Sequence, residues 1–184
     1  GSAVIGLDLS PEIEKVFSGD NWIGIEADVT KTEEVASAIK TGVERFGGLD
    51  IAVVAAGIFG ESSPIEDLAA EERRRVMSVN ADSVQSLFGH IGPLLALSPV
   101  GGRVVVIGSK NVPAPGKGAA AYSASKAALQ QLCRVAALEW APNKTRVNIV
   151  HPDAVFDTGL WSEELITERA SNYGISPEEY KKRN

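Results

Sequence analysis

The sequence predicts an α/β class fold, doubly wound around a mostly parallel sheet. Short apolar runs rich in Val and Ile alternate with longer stretches of helical periodicity along the whole chain. The run at 49–55 (Leu-Asp-Ile-Ala-Val-Val-Ala) is apolar enough for a strand buried on both faces of a parallel sheet. The stretches between runs are long enough for right-handed crossovers. No repeat, low-complexity tract or linker divides the chain, so residues 1–184 read as a single domain.

Ala3–Leu7 reads as the first strand, ended by Asp8. Ser10-Pro11-Glu12 follows as a helix start, with a capping hydroxyl and proline at the first helical position. That helix is short, reaching about Phe17. Trp22–Glu26 is the second strand, and Ala27-Asp28-Val29-Thr30 opens onto a helix over 31–46. Val35, Ala38, Ile39, Val43 and Phe46 form its apolar stripe, and Gly47-Gly48 stops it. After the 49–55 strand comes a loop from Gly57 to Pro64. Ser63-Pro64-x-Glu66 then begins a long helix to about Leu97, kinked near Pro93. The fourth strand spans 103–108. A Pro/Gly-rich loop leads to a helix over 119–140, closed by Pro142-Asn143, and 146–150 is the fifth strand. His151-Pro152 begins an irregular segment, and the tail holds helices near 162–172 and 177–182.

Composition narrows the function. The chain is 44% hydrophobic and 23% charged, which suits one domain with a real core. A formal charge of −6 argues against nucleic acid or an anionic membrane as partner, and no apolar stretch approaches a membrane span. The expected location is the cytoplasm. Two histidines with no Cys/His cluster give no metal-site pattern. The one cysteine, Cys133, sits inside a helical pattern and reads as a packed side chain rather than a nucleophile.

Chemistry concentrates between Ser109 and Lys126. Tyr122 and Lys126 are four apart, so on a helix they share a face one turn from each other. An ammonium beside a phenol favours phenolate and is expected to lower the tyrosine pKa from about 10. Ser109, at the end of the fourth strand, reaches the same point if the loop folds back. A hydroxyl donor, an activated phenol and a fixed cation can move a proton at a carbonyl or alcohol.

These residues resemble the short-chain dehydrogenase/reductase family. Tyr122-Ser-Ala-Ser-Lys126 fits its Y-x-x-x-K motif, Ser109 stands 13 residues before Tyr122, Asn80 ends V-M-S-V-N, and V-A-A-G occupies 54–57. The resemblance implies a Rossmann-like fold, NAD as cofactor and a small-molecule substrate. It makes Tyr122 the general acid/base and Lys126 its partner and the holder of the nicotinamide ribose. Ser109 would hydrogen-bond the substrate oxygen, and Asn80 would bend its helix and hold a water of the proton relay. Asp8 falls where a carboxylate accepts from the ribose hydroxyls and disfavours NADP. Asp28 and Val29 match adenine contacts, although Asp28 equally suits an N-cap. Ala55, Ala56 and Gly57 match the N-A-G segment, with Ala in place of Asn. After the fifth strand, Val155 would meet the carboxamide and Thr158 the pyrophosphate. Asp153 replaces a glycine there. The run His151-Pro-Asp-Ala-Val-Phe-Asp-Thr-Gly-Leu-Trp161 most resembles the dehydrogenase half of bifunctional aldolase/short-chain dehydrogenases. That implies an N-terminal aldolase domain and a lactaldehyde-like substrate, the alternatives being a stand-alone sugar or polyol dehydrogenase or an inactive scaffold fragment. The helices at 65–97 and 119–140 are expected to pair two copies into a homo-oligomer, as family members commonly do.

The family's glycine-rich pyrophosphate turn, T-G-x-x-x-G-x-G, has no counterpart here. The chain reads as starting at the family's second strand, lacking the first strand and its glycine-rich loop, and as stopping before the last strand. The strands ending at Asp8 and Ala55 would then face a gap. Direct closure or pairing with another chain is expected over an empty slot, with weak NAD binding by this chain alone.

Overall fold

The computed structural model describes residues 2–158 and 161–183. Its strands are β1 (Val4–Asp8), β2 (Trp22–Glu26), β3 (Ile51–Val54), β4 (Arg103–Ile107) and β5 (Arg146–Val150). The helices are α1 (Thr32–Phe46), α2 (Ala70–Met77), α3 (Ser83–Leu95), α4 (Ala120–Trp140), α5 (Glu163–Asn172) and α6 (Pro177–Arg183). All pairings between named strands are parallel, as expected for strands joined by helical crossovers.

The strands form two sheets. One pairs β1 with β2, and the other has the order β3-β4-β5. β1 and β3 do not close on each other, so direct closure, one of the two expected outcomes, does not occur. Helix packing links the sheets instead: α1 lies against β1 and also against α3, which in turn packs on β3. The contact with β1 depends on Gly42, because a Cβ there would stand 2.1 Å from Cδ1 of Ile5.

The core lies on one face of the three-stranded sheet. Val54, Val104 and Val106 pack there against Val84, Phe88, Ile91 and Leu95 of α3 and Leu129, Cys133 and Ala136 of α4. Cys133 is therefore core, as its sequence context implied, and burial pushes its thiol up to about 11. The opposite face is open: Ile51 and Val53 are 57% and 67% exposed. This corrects the reading of 49–55 as buried on both faces. An all-apolar strand shows what a strand tolerates, but a packed helix is what covers it, and α3 and α4 both lie on one side.

Two helical expectations also change. Pro11–Lys15 is a 3₁₀ turn, although the Ser10 hydroxyl caps it by accepting from Glu12 N. The expected helix over 65–97 is divided into a 3₁₀ turn at Ile65–Asp67, then α2, a π-helical turn at Ser78–Asp82, and α3. Pro93 stays inside α3 without ending it. The break falls at Asn80, where a side chain makes bonds that a regular helix would misdirect.

Candidate active site

The site is assembled by α4 lying against the carboxyl end of β4. The buried face of α4 carries Ser125, Lys126, Leu129 and Cys133. Lys126 is only 4% exposed, and its Nζ donates to the carbonyl of Ile107 at 2.9 Å. Burial lowers the Lys126 pKa to about 8, partly opposed by Cys133. Its Nζ lies 5.8 Å from the centroid of the Tyr122 ring. The ammonium thus sits over the ring while it bonds to the backbone.

Tyr122 is held above its ordinary pKa by burial, and the hydrogen bond from the Ser109 hydroxyl opposes that rise. The expected depression by Lys126 is not what this geometry gives. Desolvation disfavours the phenolate, and the near donor to the phenol is Ser109. The phenol is accordingly a proton donor at neutral pH.

Ser109 itself is buried and fixed from several sides. Its Oγ accepts from Asn111 N at 3.1 Å, and Nδ1 of His151 lies 2.9 Å from its carbonyl and 3.2 Å from its N–H. Gly108 makes room for that ring, since a Cβ would stand 2.7 Å from His151 Nδ1.

Asn80 is fully buried and all its polar atoms are used. Oδ1 accepts from Ile58 N at 2.8 Å, while Nδ2 donates to Ile58 O at 2.8 Å and Ser125 Oγ at 3.0 Å. Ser125 Oγ donates in turn to the Tyr122 carbonyl at 2.7 Å. The Asn80 side chain therefore ties the loop after β3 to the second turn of α4. Asn80 lies within the π turn between α2 and α3.

Ala55, Gly57, Ser109, Tyr122, Lys126, Val155 and Thr158 all line one cavity of about 750 Å³. Asn80 stands behind its wall, and Ala56 is exposed beside it. Asp8, Asp28 and Val29 lie outside the cavity, at and just beyond the carboxyl ends of β1 and β2. The Asp8 carboxylate accepts from Ser10 N at 2.9 Å. Asp28 accepts from the N–H and hydroxyl of Thr30 at 2.9 and 2.7 Å, bonds that hold its carboxyl below the usual range. Asp28 thus serves the turn into α1. Asp153, in the glycine's place, pairs with Lys110 and accepts from Ala154 N at 2.7 Å. Gly159 and Leu160 of the 151–161 run lie outside the described residues.

The sequence reading missed Phe59, Ser125, His151 and Arg169. Ser125 was findable, since it lies within the tyrosine–lysine motif one turn from Tyr122. Arg169 gave no signal, because a charged residue in a short polar helix reads as solvated. The structure buries it to 3% exposure in the cavity wall.

A family model described as enoyl-(acyl carrier protein) reductase matches residues 4–171. The chain belongs to the short-chain dehydrogenase/reductase family. Among curated relatives is the uncharacterized oxidoreductase YuxG of Bacillus subtilis (strain 168), 34% identical over 180 residues. That match covers 95% of this chain and 26% of YuxG. Sorbitol-6-phosphate 2-dehydrogenase SrlD from Erwinia amylovora has the same fold, with a TM-score of 0.91 and 22% identity over 100% of this chain and 74% of that one. NAD⁺-bound xylitol dehydrogenase matches with a TM-score of 0.80 and 25% identity, over 88% of this chain and 63% of that one. This short-chain dehydrogenase/reductase chain spans a quarter to about half the length of the first curated relatives it matches. The α/β class is as expected. No described helix is long and apolar enough to cross a membrane, and the described residues hold no metal-ligand cluster.

Proposed function

We propose that this chain is the catalytic part of an NAD-dependent oxidoreductase that interconverts a small alcohol and its carbonyl compound. The observation that carries the reading is the Ser109–Tyr122–Lys126 set, joined in one cavity and braced by Asn80 through Ser125. Tyr122 gives its proton to the substrate oxygen in reduction and takes it back in oxidation. Ser109, hydrogen-bonded to that phenol, orients the same oxygen and favours the charge developing on it.

The nicotinamide cofactor, when bound, would supply the hydride as NADH in reduction and take it up as NAD⁺ in oxidation. The residues present fit it in part. Gly57 keeps the wall low beside Lys126, since a Cβ there would stand 3.4 Å from Nζ and 3.2 Å from Asn80 Oδ1. Lys126 retains N–H donors for a ribose hydroxyl, Asp8 offers a carboxylate for another ribose, and Val155 and Thr158 line the mouth. The NAD⁺-bound state of xylitol dehydrogenase supports this choice of cofactor.

The finer substrate reading is a hydroxy- or aldehyde-bearing product of sugar breakdown, lactaldehyde-like, in a protein that also carries an aldolase domain. The match fills 26% of YuxG, so that oxidoreductase has sequence beyond the part this chain resembles. A second reading is a sugar or polyol dehydrogenase, favoured by the likeness to xylitol dehydrogenase. The exposed Val135 and Leu138 on α4 support a homo-oligomer paired through this helix.

Tyr122→Phe in the full-length protein tests the assignment. Turnover is expected to vanish while NAD affinity stays nearly unchanged, because only the proton-transfer group is lost. Lys126→Ala is expected to impair both. Substantial kcat remaining in Tyr122→Phe removes Tyr122 from the role.

A further inference from the structure

Arg169 is the least conventional group in the cavity wall. Its Nη1 donates to the carbonyl of Lys117 at 2.9 Å. Its Nε and Nη2 are buried and have no hydrogen-bond partner among the described residues. Burial lowers the pKa of this guanidinium, opposed by the nearby Tyr180, Glu168 and Tyr173. Buried donors without acceptors are costly and rare, so each demands an account. Nε and Nη2 are also the side-on pair of the guanidinium, whose spacing matches two oxygens of a carboxylate or phosphate.

The surroundings place this fork relative to the reacting groups. The Arg169 Cζ lies 4.3 Å over the Phe59 ring, and the same ring stacks on Tyr122 at 4.3 Å and 23°. One ring face cannot hold both neighbours at that distance, so guanidinium and phenol occupy opposite faces of Phe59. Phe59 is held between fixed points: Asn80 binds both polar groups of Ile58, and Glu72 accepts from Glu61 N at 2.7 Å.

We propose that Arg169 is the subsite for an oxyanion carried by the substrate, a carboxylate or a phosphate ester, and that Phe59 spaces this anion from the reacting carbon. An anion on the fork and a carbonyl at the Tyr122 phenol lie on opposite sides of an aromatic ring. Joining them takes a chain of several carbons, such as a sugar acid or sugar phosphate, which favours the sugar dehydrogenase reading over the lactaldehyde-like one. The fork is shielded from solvent, so the anion displaces part of its cover on the side away from Phe59, where the Tyr173 and Tyr180 rings stand, to reach it. The inference rests on the oxidoreductase reading for the substrate's other end, and only for that.

The test is calorimetric binding to the full-length protein in its Tyr122→Phe form, which removes turnover. D-glucitol, its 6-phosphate and D-gluconate present one carbon chain as neutral polyol, phosphate ester and carboxylate. One or both anions are expected to bind roughly tenfold or more tighter than glucitol. Adding Arg169→Gln is expected to abolish that preference, and Arg169→Lys to reduce it, because an ammonium lacks the fork. Preference for the phosphate or for gluconate names the anion. Equal binding of all three, a preference surviving in a folded Arg169→Gln form, or one undiminished in a folded Arg169→Lys form, overturns the proposal. If Arg169→Gln does not fold by circular dichroism, the Arg169→Lys result decides. Turnover that persists in Tyr122→Phe, with the anion preference intact, removes Tyr122 from its acid/base role and leaves the anion subsite standing.

Discussion

Asn80 and Ser125 share a buried hydrogen bond of 3.0 Å that joins the π turn to the second turn of α4. Because Ser125 also bonds to the Tyr122 carbonyl, the backbone carrying the phenol is tied to Asn80 through one intermediate. Asn80→Ala leaves Ile58 N, Ile58 O and Ser125 Oγ short of a partner. Each orphaned group costs about 1–3 kcal/mol, part of it recoverable by water. Urea unfolding is expected to show a loss of several kcal/mol. An Asn80→Ala midpoint equal to wild type would show that these bonds hold nothing.

Lys126 makes stability depend on pH in a defined window. Its folded pKa of about 8 lies below the reference of 10.5. Between these values the unfolded chain keeps the proton and the folded chain has shed it. Stability from this group therefore rises with pH across the window, and below about pH 8 the full burial cost is present. Lys126→Met removes that cost. It is expected to stabilise the chain at pH 7 by on the order of 2 kcal/mol, after loss of the Ile107 bond. The advantage is expected to shrink as pH rises toward 10.5. A pH-independent difference between the two proteins would contradict the burial argument.

Gly108 is the point where β4 lets the His151 ring reach Ser109. An added methyl would meet Nδ1 at 2.7 Å and Cε1 at 2.9 Å, and a rigid ring has little room to yield. Gly108→Ala is expected to displace His151, loosen Ser109 and lower kcat more than it raises KM. A cost of roughly 1–3 kcal/mol in stability is expected alongside. Unchanged kcat would mean that His151 does not position Ser109.

Tyr122 offers a direct check of the site's electrostatics. Its phenol is raised by burial, so an ultraviolet titration of wild type minus Tyr122→Phe is expected to show a phenolate appearing above the ordinary tyrosine range. Titration below that range would restore the depression by Lys126 expected from spacing.

The local pattern of the chain determined most of its elements. Five apolar runs became five strands, Ser10 and Ser162 became caps, and Gly47 ended α1 in the left-handed region with φ 88°. Tyr122 and Lys126 shared a helix face because helical spacing is a property of the backbone alone. What the tertiary structure decided were quantities that depend on neighbours distant in sequence. Whether β3 was covered on one face or two depended on where α3 and α4 packed. Whether Lys126 lowered the Tyr122 pKa depended on the Ile107 carbonyl, which drew the ammonium, and on the burial both side chains share. Arg169 became a buried fork only because α5 set it over Phe59, a residue 110 positions earlier. Periodicity fixes which way a side chain points from its own helix; desolvation and partnership are fixed by what the rest of the chain brings to meet it.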